Sequence, residues 1–349
     1  MTASMKKNGK RIAMVLVLLG IVLVAVCLGK DENKSATKNI FAMDTYMEIT
    51  AYGRNCEKAV EAAAQEIERL DALLSTGSET SEVTQINQNK SGLLSEDSTY
   101  LLQRSLEIYE STKGAFDITI YPVMEAWGFA GEEFRVPSKE ELNDLLGSVD
   151  SSRLTYDQDA NQLTMPENVK IDFGGIAKGY TSARVAQIME EYGIKSAKLN
   201  LGGNVQTVGS KIDGSPWRIA IKSPDESLPY LGVISVMDKA VITSGGYERY
   251  FEENGEIYHH IIDPKTGKPA ENGLLSVTIV CEDGTLADGL STALYVLGKE
   301  EAIAYWRAHS NEFDAVLYDN TGMLYVTEGL ENSFASDLKY EIIAKNQVE

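Results

Sequence analysis

Along residues 40–330 the spacing of apolar positions changes repeatedly between a period of about 3.6, typical of helices, and a period of two, typical of strands. This pattern predicts helices over residues 56–74, 98–113, 138–146, 177–192, 285–297 and 300–309. It predicts strands over residues 45–52, 169–173, 197–201, 205–208, 217–222, 232–236, 240–243, 257–262, 275–280, 313–318 and 323–326. Because strands and helices do not alternate regularly, we expect an α+β fold with mixed, mostly antiparallel sheets and flanking helices. No linker interrupts residues 40–345, which predicts a single domain of one or two lobes.

The first thirty residues follow a different pattern, in which four basic residues precede the uncharged apolar run 12–28. As a helix, this run would be about 26 Å long, close to the thickness of a bilayer's hydrocarbon core. Because positive charge stays on the cytoplasmic side, we expect the rest of the chain at the extracytoplasmic face of the membrane. The run is a signal to be cleaved, a membrane anchor, or a lipoprotein signal with Cys27 acylated. Residues 31–39 are polar and predict a tether to the domain.

The charge separates these two parts of the chain. The chain has 32 basic and 52 acidic residues, and the residues after position 30 hold 27 of the bases and all 52 acids, a net charge of −25. Such an acidic body argues against a nucleic-acid-binding protein, which needs a basic surface to replace phosphate counterions. The three cysteines form no CxxC pair, which excludes a disulfide framework and the usual zinc motifs.

The first stretch with candidate chemistry is residues 171–180. The predicted strand ends at Asp172, passes through Gly174 and Gly175, and enters a helix at Lys178. Free N–H groups at a helix start, next to a lysine, favour an anion such as a phosphate. A glycine-lined packing turn explains the same residues equally well, and neither the Walker A nor the GxGxxG pattern fits.

Two further stretches lie between predicted strands. Residues 199–205 contain a Gly-Gly-Asn turn, which most simply predicts a hairpin. Residues 243–267 collect serine, histidine, aspartate and aromatic residues, so a Ser–His–Asp triad is conceivable, although no GxSxG motif supports it. His259 and His260 are neighbours on a strand and should point to opposite faces. Residues 263–267 have the composition of a turn. The alternative to a catalytic role for Asp263 is therefore that it caps this turn.

The fourth stretch is the predicted helix that contains Asp288 and Thr292. These residues are four positions apart, so their oxygens lie on one helical face. A carboxylate and a hydroxyl suit a hard cation such as Mg²⁺. The competing interpretation is a solvated helix face, with the acid placed to favour the helix dipole.

In this order the four stretches resemble the ApbE family, the FAD:protein FMN transferases, over about residues 40–330. The resemblance rests on residues 43–45, 74–76, 81–87, 114–119, 127–129, 172–179, 201–204, 243–245, 260–267 and 287–292. It implies a reaction in which a threonine or serine hydroxyl of an acceptor flavoprotein attacks the FMN phosphate of FAD. FMN becomes linked to the acceptor, AMP leaves, and Mg²⁺ neutralises charge on the pyrophosphate.

The resemblance also implies roles for individual residues. Asp288, Thr292 and the Gly175 carbonyl would bind Mg²⁺, and either His260 or Asp288 would act as the general base. FAD would contact Met43, Gly77, Ala115, Phe116, Asp117, Asp172, Lys178, His260 and Ile261.

Gly77 departs from the family, in which tyrosine or asparagine is frequent at this position. Gly77 supplies no side chain to hold FAD. The sequence therefore leaves open whether the protein transfers FMN or hydrolyses FAD. Two alternatives therefore stand beside the transferase: an Mg²⁺-dependent FAD pyrophosphatase giving FMN and AMP, and a non-enzymatic flavin-binding surface lipoprotein.

Overall fold

A computed structural model describes residues 34–131 and 133–346. The helices in this part of the chain are α1 (Cys56–Leu74), α2 (Glu82–Asn89), α3 (Glu96–Ser111), α4 (Tyr121–Trp127), α5 (Lys139–Leu146), α6 (Ala177–Glu191), α7 (Gly284–Leu297) and α8 (Lys299–His309). The strands are β1 (Ser35–Ala42), β2 (Thr45–Tyr52), β3 (Ser91–Leu93), β4 (Thr155–Asp157), β5 (Gln162–Thr164), β6 (Ser196–Leu201), β7 (Asn204–Gly209), β8 (Trp217–Ile221), β9 (Gly232–Val236), β10 (Ala240–Gly245), β11 (Tyr250–Glu253), β12 (Glu256–His259), β13 (Leu274–Cys281), β14 (Asp314–Asp319), β15 (Leu324–Thr327), β16 (Phe334–Ala335) and β17 (Tyr340–Ile343).

The main sheet has nine strands within the described residues, in the order β1-β2-β6-β7-β10-β13-β14-β15-β17. Its neighbouring strands pair antiparallel except β15 and β17, which run parallel. A three-stranded sheet has the order β16-β9-β8, a smaller one the order β3-β5-β4, and β11 and β12 form a separate hairpin. The α+β class with mostly antiparallel sheets is therefore confirmed.

Both faces of the main sheet are buried. Val241, Val280 and Val316 pack in a cluster with the three-stranded β16-β9-β8 sheet. Their neighbours Ile242 and Ile279 point to the opposite face, into a cluster formed with the helices. This alternation follows from the period of two along a strand, and it produces three layers: helices, main sheet and second sheet.

Two strand predictions need correction. Residues 35–39, expected in a polar tether, pair along β2 as part of β1. Residues 169–173, expected as a strand, join no sheet. The Asn87 side chain instead holds this segment, because it accepts a hydrogen bond from the Ile171 N–H and donates one to the Ile171 carbonyl, each at 2.8 Å. The side-chain amide here takes the place of a partner strand.

The described part of the chain contains no helix long and apolar enough to cross a bilayer. The apolar run 12–28 and residues 31–33 of the predicted tether lie outside the described residues.

Candidate active site

Helices α6 and α7 approach each other through Gly179, which lies in the first turn of α6. A Cβ atom at Gly179 would lie 2.2 Å from the Gly284 carbonyl oxygen and 2.4 Å from the Asp288 Cβ, so the two backbones touch at a distance that only glycine allows. The Gly179 N–H donates a hydrogen bond of 2.7 Å to Oδ2 of Asp288. The close approach therefore places the Asp288 carboxylate against the start of α6.

Asp288 is only 5% exposed, so the interpretation of this position as a solvated helix face is wrong. Burial raises the pKa of its carboxyl, while the positive charge of Lys178, the Gly179 N–H and the Asn204 amide act in the opposite direction. A bound cation would also oppose the rise in this pKa. A buried carboxylate with one oxygen held by a backbone N–H is thus suited to bind a cation with the other.

Lys178 connects Asp288 with two other predicted site residues. Burial raises the pKa of Asp172, and the Gly174 N–H and the Lys178 charge oppose that rise. The Gly174 N–H donates to Oδ1 of Asp172 at 2.9 Å. Lys178 also lowers the pKa of His260. One ammonium group therefore lies within electrostatic reach of residues from three separate parts of the chain.

His260 is held as a neutral imidazole. Burial lowers its pKa to about 4, against the effect of its hydrogen bond to the Arg249 carbonyl. Its Nδ1 lies 3.0 Å from the Arg249 carbonyl oxygen, and because a carbonyl only accepts, Nδ1 carries the proton. The other nitrogen, Nε2, therefore holds a lone pair and can accept a proton at neutral pH.

The two histidines are not neighbours on one strand, because the strand expected over residues 257–262 ends at His259 as β12. His259 has contacts of its own. Its Nδ1 accepts a hydrogen bond of 3.3 Å from the Ile261 N–H, and its ring meets Tyr295 edge-on at 5.6 Å. The contacts of His259 are thus with Ile261 and Tyr295, whereas Lys178 acts electrostatically on His260.

A cluster of hydroxyl groups lies beside Asp288. Ser244 Oγ on β10 is 2.8 Å from Ser291 Oγ and 3.2 Å from Thr292 Oγ1, both on α7. Within the described chain, the hydrogen bonds of Ser244 go to these hydroxyls and not to a histidine. The conceivable Ser–His–Asp triad is therefore wrong.

The residues present fit a magnesium ion. Asp288 offers a carboxylate, and Thr292 on the same helical face offers a hydroxyl. The described residues contain no group of three or more His, Cys, Asp or Glu side chains arranged for a metal. One carboxylate with neutral oxygens suits Mg²⁺, which keeps several waters and takes further ligands from substrate phosphates, and it does not suit a closed zinc site.

Gly175 contributes through close packing against Phe116. A Cβ atom at Gly175 would lie 2.9 Å from the Phe116 ring, which is itself buried. The glycine therefore lets this ring press against the loop that leads into α6.

The other residues predicted to contact FAD differ in their exposure and in their contacts. Met43 lies in a turn with φ of 49°, its N–H donates to Asp71 at 3.1 Å, and its sulfur is 3.7 Å from the Thr181 hydroxyl on α6. Ala115 and Ile261 are buried. Gly77 is exposed in the loop after α1.

The side chain of Asp117 makes several hydrogen bonds within the protein. Its Oδ1 accepts hydrogen bonds from the Thr119 N–H, the Thr119 hydroxyl and the Ser151 hydroxyl, at 2.8, 2.6 and 2.6 Å. Its Oδ2 accepts from the Ser151 N–H at 3.2 Å. The carboxylate therefore joins the segments around Thr119 and Ser151, and its predicted contact with FAD stays a prediction.

Sequence reasoning missed Asn87 and Ser291. Asn87 pins the segment that leads to Asp172, and Ser291 connects Ser244 with Asp288. Both lie in stretches that carry the family resemblance, but their roles depend on partners 84 and 47 positions away, which the sequence does not show.

Comparison with known proteins gives a consistent result. A family model described as the ApbE family matches residues 43–317. The FAD:protein FMN transferase of Haemophilus influenzae is 31% identical over 332 residues, which cover 88% of this chain and 94% of that protein. The crystal structure of the ApbE protein from Thermotoga maritima has a TM-score of 0.80 at 33% identity, covering 85% of this chain and 98% of its own. The flavin transferase ApbE of Vibrio cholerae has a TM-score of 0.74 at 28% identity, covering 88% and 97%.

Proposed function

This chain belongs to the ApbE family and is an enzyme of the transferase class, and from this premise we propose that it is an Mg²⁺-dependent FAD:protein FMN transferase. It moves FMN from FAD to a threonine or serine hydroxyl of an acceptor flavoprotein and releases AMP. The observation that carries the proposal is the contact of α6 with α7 at Gly179, which holds the buried Asp288 carboxylate against the first turn of α6, where Lys178 acts electrostatically on both Asp288 and His260.

The binding of FAD follows from the charges of the site. The chain has a net charge of −20, and FAD is itself an anion, so the site must supply local positive charge. Lys178 in the first turn of α6 binds the pyrophosphate; the N–H groups expected to be free at this helix start are taken in part, because those of Ala177 and Gly179 donate to the Phe173 carbonyl and to Asp288. Asp288, Thr292 and the Gly175 carbonyl would hold Mg²⁺, which would supply neutralisation of the charge that develops on the phosphates.

The transfer step uses His260 as the base. Its Nε2 accepts the proton of the acceptor hydroxyl as that oxygen bonds to the FMN phosphorus. The bond from this phosphorus to the oxygen shared with AMP breaks, and AMP leaves with that oxygen. We assign this role to His260 rather than Asp288, because a carboxylate that binds a cation and a backbone N–H is a poor base.

We also propose that the N-terminal segment holds the enzyme at the extracytoplasmic face of the cell membrane. The four basic residues before the apolar run 12–28 support this orientation. Mass spectrometry of the protein from the membrane fraction tests the proposal. An intact segment or an acylated Cys27 supports anchoring, and a cleaved, soluble chain contradicts it.

The function is tested with FAD, Mg²⁺ and an FMN-binding acceptor domain that contains a target threonine. We expect yellow fluorescence on the acceptor that survives denaturation, and none when the target threonine is alanine. Asp288→Asn keeps the shape of the side chain but removes its charge, and we expect transfer to fall by at least about 100-fold. Glu282→Gln, an exposed charge removed six positions earlier, is the matched control and should leave transfer unchanged.

Two results would replace this proposal. Free FMN and AMP formed equally fast without the acceptor would make the protein an FAD pyrophosphatase. Tight FAD binding with no AMP released under either condition would make it a flavin-binding protein.

A further inference from the structure

Three hydroxyl groups connect strand β10 to helix α7 beside the proposed magnesium site. Ser244 Oγ lies 2.8 Å from Ser291 Oγ and 3.2 Å from Thr292 Oγ1. Ser291 Oγ lies 2.8 Å from the backbone carbonyl oxygen of Asp288. These contacts join Thr292 to Asp288, the two side chains proposed to bind the cation.

The direction of each hydrogen bond follows from counting protons. A carbonyl only accepts, so Ser291 uses its single proton in donating to Asp288. Ser244 must then donate its own single proton to Ser291. The contact between Ser244 and Thr292 therefore has Thr292 as the donor. The order of donation is Thr292 to Ser244, Ser244 to Ser291, and Ser291 to the Asp288 carbonyl.

This order determines what Thr292 offers to the site. A threonine hydroxyl has one proton and two lone pairs, and a cation requires a lone pair. Because the proton is directed to Ser244, both lone pairs remain for a ligand. We call this series of hydrogen bonds the relay. Ser291 is fully buried, so water does not compete for the hydrogen bonds of its hydroxyl.

We propose that Ser244 is a positioning residue that orients the Thr292 hydroxyl for binding Mg²⁺. The inference rests on the proposed function, and it gives Ser244 a role that needs no nucleophilic attack. Without the Ser244 oxygen, Thr292 loses its acceptor and its proton is free to turn toward the cation. Loss of such an outer partner typically costs about 10- to 100-fold in metal affinity.

The test is a titration of the purified full chain with Mn²⁺, a spectroscopic substitute for Mg²⁺, with ADP as a non-reacting diphosphate. Free Mn²⁺ is measured by electron paramagnetic resonance. We expect Ser244→Ala to weaken Mn²⁺ binding by about tenfold or more. Ser244→Thr keeps the hydroxyl and should restore most of the affinity.

The matched control is Thr243→Val on the same strand. Thr243 Oγ1 lies 2.8 Å from Thr278 Oγ1, so this variant also breaks one contact between two hydroxyls, but one with no connection to Thr292. It should bind Mn²⁺ like the wild type, while thermal unfolding of the metal-free protein should shift by similar amounts in Thr243→Val and Ser244→Ala.

Ser244→Ala binding Mn²⁺ as tightly as Thr243→Val would overturn the inference, while leaving the proposed function intact. A wild-type chain that binds no Mn²⁺ with ADP, yet transfers FMN, would overturn both the metal site and the role of Ser244. A result in which Ser244→Thr binds as weakly as Ser244→Ala would also contradict the relay.

Discussion

Replacing Gly179 with alanine tests whether the contact between α6 and α7 builds the active site. The new Cβ would lie 2.2 Å from the Gly284 carbonyl oxygen and 2.4 Å from the Asp288 Cβ. Ordinary contacts begin at 3.4 Å, so the two backbones must separate by about 1.2 Å. Neither neighbouring atom belongs to a flexible side-chain end, and the strain therefore falls on the helices.

The expected loss of stability has two parts. Overpacking of a filled interior costs about 1–3 kcal/mol. Separation also breaks the 2.7 Å hydrogen bond from the Gly179 N–H to Asp288, and hydrogen bonds to charged groups contribute about 1.5–3 kcal/mol. We therefore expect the free energy of unfolding to fall by about 3–5 kcal/mol, and FMN transfer to fall with it because Asp288 and Lys178 move apart.

Urea unfolding followed by tryptophan fluorescence measures this change. Gly131→Ala is the matched control, because a Cβ at Gly131 meets no atom within 4 Å and the backbone there is not in the left-handed region. The reasoning is refuted if Gly179→Ala unfolds at the same urea concentration as Gly131→Ala and transfers FMN at the wild-type rate.

Three other changes address the base, the FAD pocket and the scaffold. If neutral His260 is the base, the rate of transfer should stay level as the pH falls below 6.5 and decline with a midpoint near 4, and a midpoint at 6.5 would contradict this assignment. The unfolded histidine has a pKa near 6.5 and takes up a proton before the folded one does. The free energy of unfolding should therefore fall as the pH is lowered from 6.5 to 4, and this part of the fall should be absent in His260→Asn. Gly77 is exposed, and an aromatic contact contributes about 0.5–1.5 kcal/mol. Gly77→Tyr should therefore tighten FAD binding by about 2- to 10-fold in a fluorescence titration. An unchanged affinity would place this loop away from FAD. Asn87→Ala leaves the N–H and carbonyl of Ile171 without partners, so the free energy of unfolding should fall by about 2–4 kcal/mol in urea, and a loss under 1 kcal/mol would show that the segment does not depend on this amide.

Periodicity predicted several elements closely. Helices α1, α6 and α7 and strand β9 start and end within a residue or two of their predicted bounds. Strand β1 was missed because it is the edge of the main sheet and has mostly exposed or half-exposed side chains, so its polar sequence gives no strand signal. Residues 169–173 show the opposite case. Their apolar pattern predicts a strand, but a side chain rather than a neighbouring strand supplies the hydrogen bonds at Ile171.

The candidate site was predictable where one motif contains the chemistry. The spacing of Asp288 and Thr292 already places both oxygens on one helical face. Whether that face is buried depends on the glycine contact with α6, more than 100 positions away, and no local pattern shows this. The role of Ser244 likewise depends on the protons of Ser291 and Thr292, which only the folded arrangement brings together.

The central claim is tested most directly by the ratio of AMP released to FMN covalently bound on the acceptor domain, measured by chromatography and intact mass in the same reaction. Transfer predicts one AMP for each acceptor that gains an FMN less one water, and no AMP when the acceptor is omitted. AMP in large excess over bound FMN, formed at the same rate without the acceptor, would contradict the account.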